Sequence, residues 1–483
     1  MLVNDELRKK YIPTIGIETH VQLKTKTKLF SAVGNDARKA KPNTLISHID
    51  TGMPGALPVL NEKAIELATK VAFALNTNPQ KFSKFERKHY FYPDLPKGYQ
   101  ITQLENPIIV GGYVEFRVEG QKKKVNINRV QLEEDAGKNI HPDGADYSLV
   151  DLNRAGTPLL EIVSEPQIKS AAEAKAYTHE LFLLMKYTGV SDVDLYHGNM
   201  RFDVNVSLSQ ETGKLGKRAE VKNLNSFRSV ENAVSYEIDR QIELYENGKE
   251  VIQETRGWDE AKQKTTVQRG KEEAHDYRYM PEPDIPPVEL DEKLIETLKN
   301  DMPMLPNEIR ESLSKLNISL AVIEDLLDQG PEDIKQILRI SARGGDHARR
   351  TAFWLLQQKK ETAGDQSRQE SRISDDQYLK LSEMVESSKL SSTAAKQILN
   401  TLLTRGGDVE QIAAGDNLLQ VSDENEIEQI VAEVLEKNPR AAQDIMKGEI
   451  RAIGFLVGQV MARSKGKANP QLTQEIIKKR LGL

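Results

Sequence analysis

Four short stretches in the first half of the chain alternate apolar residues with side chains of the kind that bind cations and phosphates. In residues 15–23 a period of two sets Ile15, Ile17, Val21 and Leu23 on one side and Glu18, His20 and Gln22 on the other. Residues 201–208 repeat the pattern, with Phe202, Val204, Val206 and Leu208 opposing Arg201, Asp203, Asn205 and Ser207. Between them lie 129–135, carrying Glu133 and Glu134, and 159–165, carrying Glu161. A half-exposed antiparallel sheet alternates in the same way without any site. Glu, Asp, Asn and Ser are poor strand formers, however, and an idle wet face more commonly carries Thr, Lys and Arg. If the four strands share a sheet their carboxylates converge, as a metal or a phosphate site requires.

Several chemistries are excluded. No Gly-x-x-x-x-Gly-Lys-[Ser/Thr] loop and no dinucleotide fingerprint occurs, so a nucleotide would have to be held by side chains and a metal. Neither a Gly-x-Ser-x-Gly elbow nor a His-Glu-x-x-His zinc motif is present. The absence of cysteine removes thiol nucleophiles, disulfides and thiolate metal sites. The loop 92–100 combines two tyrosines with Asp94 and Lys97; it suits a ligand and equally suits an idle turn. Arg154 and Lys222 are candidate phosphate cations, although each alone also reads as a surface charge.

The elements that must position these residues are legible in outline. Residues 12–290 read as mixed β and α, with strand patterns at 106–118 and 124–134 and turns at Gly111-Gly112 and Glu119-Gly120. Parity breaks between Ile127 and Val130, which a bulge near Asn128 reconciles. Ser170 and Glu173 form a capping box before a helix ended by Gly189. A second helix starts near Ser226, carries Phe227, Val230, Val234, Ile238, Ile242 and Tyr245, and stops at Gly248. Proline-dense 281–287 looks like a domain boundary, after which strand signals vanish. Residues 361–371 read as a loop, and a further break falls at 405–408. The expected class is α+β: a largely antiparallel sheet domain with flanking helices (1–290), an all-α middle domain (291–407) and an all-α tail (408–483).

At 483 residues the chain has room for about three domains. Its net charge of −6 argues against a uniformly basic nucleic-acid binder. Residues 463–483 nevertheless hold Arg463, Lys465, Lys467, Lys478, Lys479 and Arg480 against Glu475 alone, a local balance of +5. Such an end suits phosphate contacts and equally a solvated helix face. The charged start of the chain and the lack of any span of about 20 apolar residues give the expectation of a soluble, untargeted, cytoplasmic protein without membrane contact.

Six longer motifs go further. Residues 16–23 (GIETHVQL), 54–61 (PGALPVLN), 90–100 (YFYPDLPKGYQ), 132–138 (LEEDAGK), 153–163 (NRAGTPLLEIV) and 277–284 (YRYMPEPD) closely resemble the B-subunit family of bacterial tRNA-dependent amidotransferases. The likeness covers essentially the whole chain, including a tail similar to the YqeY family. It implies a cradle-shaped N-terminal domain that binds mischarged Glu-tRNA(Gln), Asp-tRNA(Asn) or both. ATP with Mg²⁺ phosphorylates the side-chain carboxylate there. An amidase, the A subunit, supplies ammonia from glutamine through a channel, and a small C subunit clasps the two into a heterotrimer. By motif match Glu18, His20, Glu133 and Glu161 are the expected metal and catalytic cluster, with Glu134 a weaker candidate. Histidine is an unusual Mg²⁺ ligand, so His20 binds through water or orients a carboxylate as an alternative. Arg154, Asp203 and Lys222 are expected around the ATP phosphates, and Arg463, Lys465, Lys467, Lys478 and Lys479 on the tRNA. Some relatives carry paired cysteines near the start; their absence here gives the expectation of no structural zinc. The competing reading is a non-catalytic scaffold that only holds tRNA.

Overall fold

β-branched and apolar residues at every second position build long strands whose one face is fully dry. The computed structural model describes residues 3–142, 144–269, 276–362, 373–420, 424–446, 449, 451–464 and 467–482. Contacts divide the chain into two compact units, Met1–Pro306 and Asn307–Leu483.

The strands that matter are β1 (Ile12–Gln22), β2 (Glu86–His89), β3 (Tyr99–Thr102), β4 (Gln121–Glu134), β5 (Pro158–Ser164), β6 (Met200–Ser209), β7 (Ala219–Leu224), β8 (Glu254–Asp259) and β9 (Lys264–Arg269). The main sheet runs in the order β9-β8-β7-β6-β1-β5-β4, continued by the short strand Ile109–Val110, with Tyr113–Val118 also paired to β4. Every pairing in it is antiparallel except β7 with β8. The four alternating stretches therefore lie on four neighbouring strands, β6, β1, β5 and β4. The parity break is a register shift: Val163 faces Arg129 while Ser164 faces Ile127, leaving Asn128 as the extra residue. Glu119 and Gly120 both take positive φ, as the tight hairpin into β4 requires.

Ile15, Ile17, Val21, Phe202, Val204, Val206, Leu160 and Ile162 fill one core with two helices. The first is α1 (Ala171–Thr188), where Ser170 accepts from the Glu173 N–H and Gly189 ends the helix in the left-handed conformation. The Glu173 carboxylate accepts from the N–H of Lys169 rather than that of Ser170, so the expected reciprocal box is shifted by one residue. The second is α2 (Phe227–Glu246), capped by Ser226. Both lay their apolar stripes on the dry face of the sheet, which leaves the ligand-type residues on the other.

The proline-dense segment belongs to this unit: Met280 pairs with Arg87, Val288 with Ser83, and Ile285 and Leu290 join the core. Asn307–Leu483 is built of helices from Pro306–Ser314 to Pro470–Leu481. Helix Ser392–Arg405 ends at Gly406, and Asp408 caps the next, Val409–Gly415. Helix Gly345–Thr362 includes the first two residues of the expected loop 361–371; the remainder lies outside the described residues. Ile427, Val431, Ile445, Leu456, Val460 and Ile476 form a core of their own among the last four helices. Among the described residues no helix is long and apolar enough to cross a membrane.

Candidate catalytic site

Register decides which ligand-type residues meet. His20 stands opposite Glu161 on β5 and Arg201 on β6, and Glu161 stands opposite Gln131 on β4. This gives one transverse row of Arg201, His20, Glu161 and Gln131 on the face away from the helices. Two residues along β4, Glu133 projects from the same face. One ligand atom from each of His20, Glu133 and Glu161 falls within 4.8 Å of the others. The next row on the other side pairs Glu18 with Asp203. Glu18 groups most closely with Asp203 and Glu220, again within 4.8 Å, rather than with the first three.

The first group is held by neutral donors. Gln131 Nε2 donates to Glu161 Oε2 at 2.9 Å and to Glu133 Oε2 at 3.3 Å, and the Thr102 hydroxyl donates to Glu133 Oε2 at 2.8 Å. Burial, then the charges of Glu133 and Glu18, pushes the Glu161 carboxyl up to about 8. Burial, then Glu220 and Asp203, also raises Glu18. Burial and the Arg201 guanidinium lower His20, which keeps the imidazole neutral and able to ligate. Burial opposes the charge on Lys88 of β2, but Glu133, Tyr279 and Glu161 outweigh it and raise its pKa.

These residues fit a divalent cation. Burial, with the charges of Glu133 and Glu18 added, lifts Glu161 to about 8, so a positive charge beside it would favour its ionised form, and His20 Nδ1 is buried without a hydrogen-bond partner. The donor set of two carboxylates and a neutral imidazole accepts Mg²⁺ through water as well as softer divalent ions directly.

The other expected residues are placed as follows. Asp203 accepts from the Asn223 N–H at 2.8 Å, and Lys222 lies 3.5 Å from Asp203 and 3.0 Å from Glu220, which raises the lysine against the cost of its burial. Arg154 donates to the carbonyls of Ala136 and Gly137 at 3.0 and 2.7 Å and lies 3.4 Å from Asp135, so it holds a turn. Glu134 is engaged by Lys97 and by the Ile101 N–H. Arg463 pairs with Glu433, and Lys479 lies 4.0 Å from Glu428. Lys467 precedes the last helix and Lys478 lies in its final turn; Lys465 lies outside the described residues. Glu220, Lys88, Gln131 and Thr102 are functional candidates that sequence patterns did not single out. Glu220 shares its parity with Lys222, the one signal available.

Comparison with known proteins supplies the family. The family described as GatB/GatE catalytic domain matches residues 13–296, and that described as GatB domain matches residues 335–481. The aspartyl/glutamyl-tRNA(Asn/Gln) amidotransferase B subunit of Thermotoga maritima is 42% identical over 479 residues, 98% of this chain and 99% of the relative. This chain belongs to the amidotransferase B-subunit family. The B subunits of Caldicellulosiruptor saccharolyticus (41% over 478 residues, 98% and 99% of the two chains) and Thermodesulfovibrio yellowstonii (42% over 471 residues, 97% and 98%) agree. In this member of the B-subunit family both acidic groups lie inside the stretch matched to the catalytic domain.

Proposed function

We propose that the polar face of the sheet activates the side-chain carboxylate of an amino acid carried on mischarged tRNA, Glu-tRNA(Gln), Asp-tRNA(Asn) or both, so that ammonia can amidate it. The observation that carries this reading is the convergence of His20, Glu133 and Glu161 on one face with Lys88 beside them. A free carboxylate is a poor acyl donor. Transfer of the γ-phosphoryl group of ATP to one of its oxygens gives an acyl phosphate and ADP, and attack of ammonia on the acyl carbon expels phosphate and leaves the amide. Phosphoryl transfer asks a protein mainly for positioning and charge neutralisation.

His20, Glu133 and Glu161 would hold Mg²⁺, which neutralises phosphate charge when bound. Gln131 and Thr102 orient the two carboxylates through the hydrogen bonds described above. Lys88 and Lys222 supply positive charge on either flank, with Glu18, Asp203 and Glu220 holding Lys222 in place. Arg154 acts indirectly, by fixing the turn at 135–137. We further assign ammonia supply to a separate amidase, the A subunit, held by a small C subunit. The three-part division at 290 and 407 is part of the proposal, with Arg463, Lys465, Lys467, Lys478 and Lys479 of the tail on the tRNA backbone. A translation enzyme of this kind works in the cytoplasm.

The test is substitution of Glu133 or Glu161 by Gln in the assembled enzyme. Loss of ATP-dependent transamidation with tRNA binding retained supports the reading; full activity in both variants defeats it and leaves a scaffold that holds tRNA.

A further inference from the structure

The loop 90–100 presents two aromatic rings to solvent beside the acidic site. Phe91 is 83% exposed and Tyr92 59%, although rings of this size usually find cover. The loop that carries them is ordered by its own backbone: Tyr90 N–H donates to the Gly98 carbonyl (3.1 Å), Gly98 N–H to Leu95 (2.9 Å) and Leu95 N–H to Tyr92 (3.0 Å). Gly98 has φ +73°, and a Cβ there would stand 3.1 Å from the Phe91 ring, so the ring rests against the glycine. Phe91, Tyr92, Pro93, Leu95, Pro96 and Gly98 line a shallow depression open to solvent. Inward, the rings continue toward the site. Tyr92 lies 6.5 Å from Tyr90, Tyr90 lies 6.3 Å from Tyr277, and Lys88 Nζ lies 4.9 Å from the Tyr277 centroid.

We propose that Phe91 and Tyr92 are a stacking platform for the terminal, unpaired nucleobase of the aminoacylated tRNA. The inference rests on the proposed function. An amino acid whose side-chain carboxylate reaches Glu133 and Glu161 is esterified to the last ribose of the RNA, so the last base must lie a few bonds away. Exposed rings on a backbone-ordered loop, joined to Lys88 of the site by the Tyr90 and Tyr277 rings, offer the sequence-tolerant stacking that single-stranded RNA ends use. Their exposure suits a strand end arriving from solvent.

The test compares the assembled enzyme carrying Phe91→Ala or Tyr92→Ala with Phe91→Trp and Tyr92→Phe. Each alanine variant should raise the KM for aminoacyl-tRNA about tenfold, the effect of one lost stack, with the KM for ATP unchanged. The aromatic variants should restore it. Fluorescence of a tRNA with 2-aminopurine as its last base should be quenched on binding to the unaltered enzyme and to Glu161→Gln, and less so by the alanine variants. A raised KM for ATP with that for tRNA unchanged would give the platform to the ATP base and overturn the proposal, as would unchanged constants for both. Full transamidation by Glu161→Gln would defeat the proposed function instead, and the quenching would report on the platform regardless.

Discussion

His20 and Glu161 face one another across neighbouring antiparallel strands, with His20 Nε2 4.0 Å from Glu161 Oε2. That separation is long for a hydrogen bond and suits two ligands of one ion. Glu133 completes the group from the next strand but one. The sheet register thus turns three separate sequence motifs into one site.

Replacing Glu161 by Gln keeps the shape of the side chain but removes the carboxylate that would ionise and ligate when a cation binds. Transamidation kcat should fall at least about a hundredfold, the scale of losing a preorganised electrostatic contact, while tRNA affinity stays within about twofold. Steady-state rates with separate tRNA-binding measurements check this. Parallel losses of rate and binding would point to misfolding.

Glu161 also makes stability depend on pH. Its folded pKa of about 8 lies above the usual carboxylate value, so the folded protein keeps a proton that the unfolded chain has lost. Its contribution is intact below about pH 4.5 and is lost as pH rises through about 8. Without divalent ions, melting temperature should therefore fall as pH rises from about 4.5 to about 8 and level off above that, and Glu161→Gln should flatten the fall. Added Mg²⁺ should stabilise more at the higher pH, where the carboxylate is already free to ligate. Scanning fluorimetry across that range reads all three effects.

How much of this was legible in the sequence varies with the kind of information. The dry and wet parities of β1 and β6 and the bulge at Asn128 follow from alternation alone, because the pleat enforces a period of two. Which carboxylates meet does not follow. Glu18 and His20 share a face of one strand, but the register sets Asp203 and Val163 opposite Glu18 and sets Arg201 and Glu161 opposite His20, so Glu18 meets Asp203 and Glu220 instead. Parity carries no strand order. Lys88 escaped for another reason: in Glu86-Arg87-Lys88-His89 every residue is polar, so the strand shows no alternation. The capping serines and terminal glycine of α1 were readable because they are local.

Lys88→Met should affect both charge and titration. Lys88 lowers the Glu161 pKa, so its loss should move the acid limb of the kcat profile to higher pH and lower kcat at neutral pH. A uniform loss of rate with an unmoved limb would show that Lys88 acts only on substrate.

The buried pair Lys28–Asp50, 3.0 Å apart with side chains 0% and 2% exposed, fastens the irregular segment before α-helical residues 62–74. The Ser47 N–H also donates to Asp50 at 2.9 Å. Asp50→Asn leaves the lysine buried and uncompensated, which should cost about 3–5 kcal/mol. Replacing both residues by apolar ones should recover much of it. Denaturant unfolding of the single and double variants checks the difference.

If the acidic site of this chain phosphorylates a carboxylate, an oxygen of that carboxylate must leave with the phosphate. Glu-tRNA or Asp-tRNA labelled with ¹⁸O in the side-chain carboxylate tests this most directly. In the assembled enzyme with ATP and glutamine, one ¹⁸O per turnover should appear in inorganic phosphate, and Glu161→Gln should abolish its appearance. Amide formed while the phosphate stays unlabelled would contradict the account.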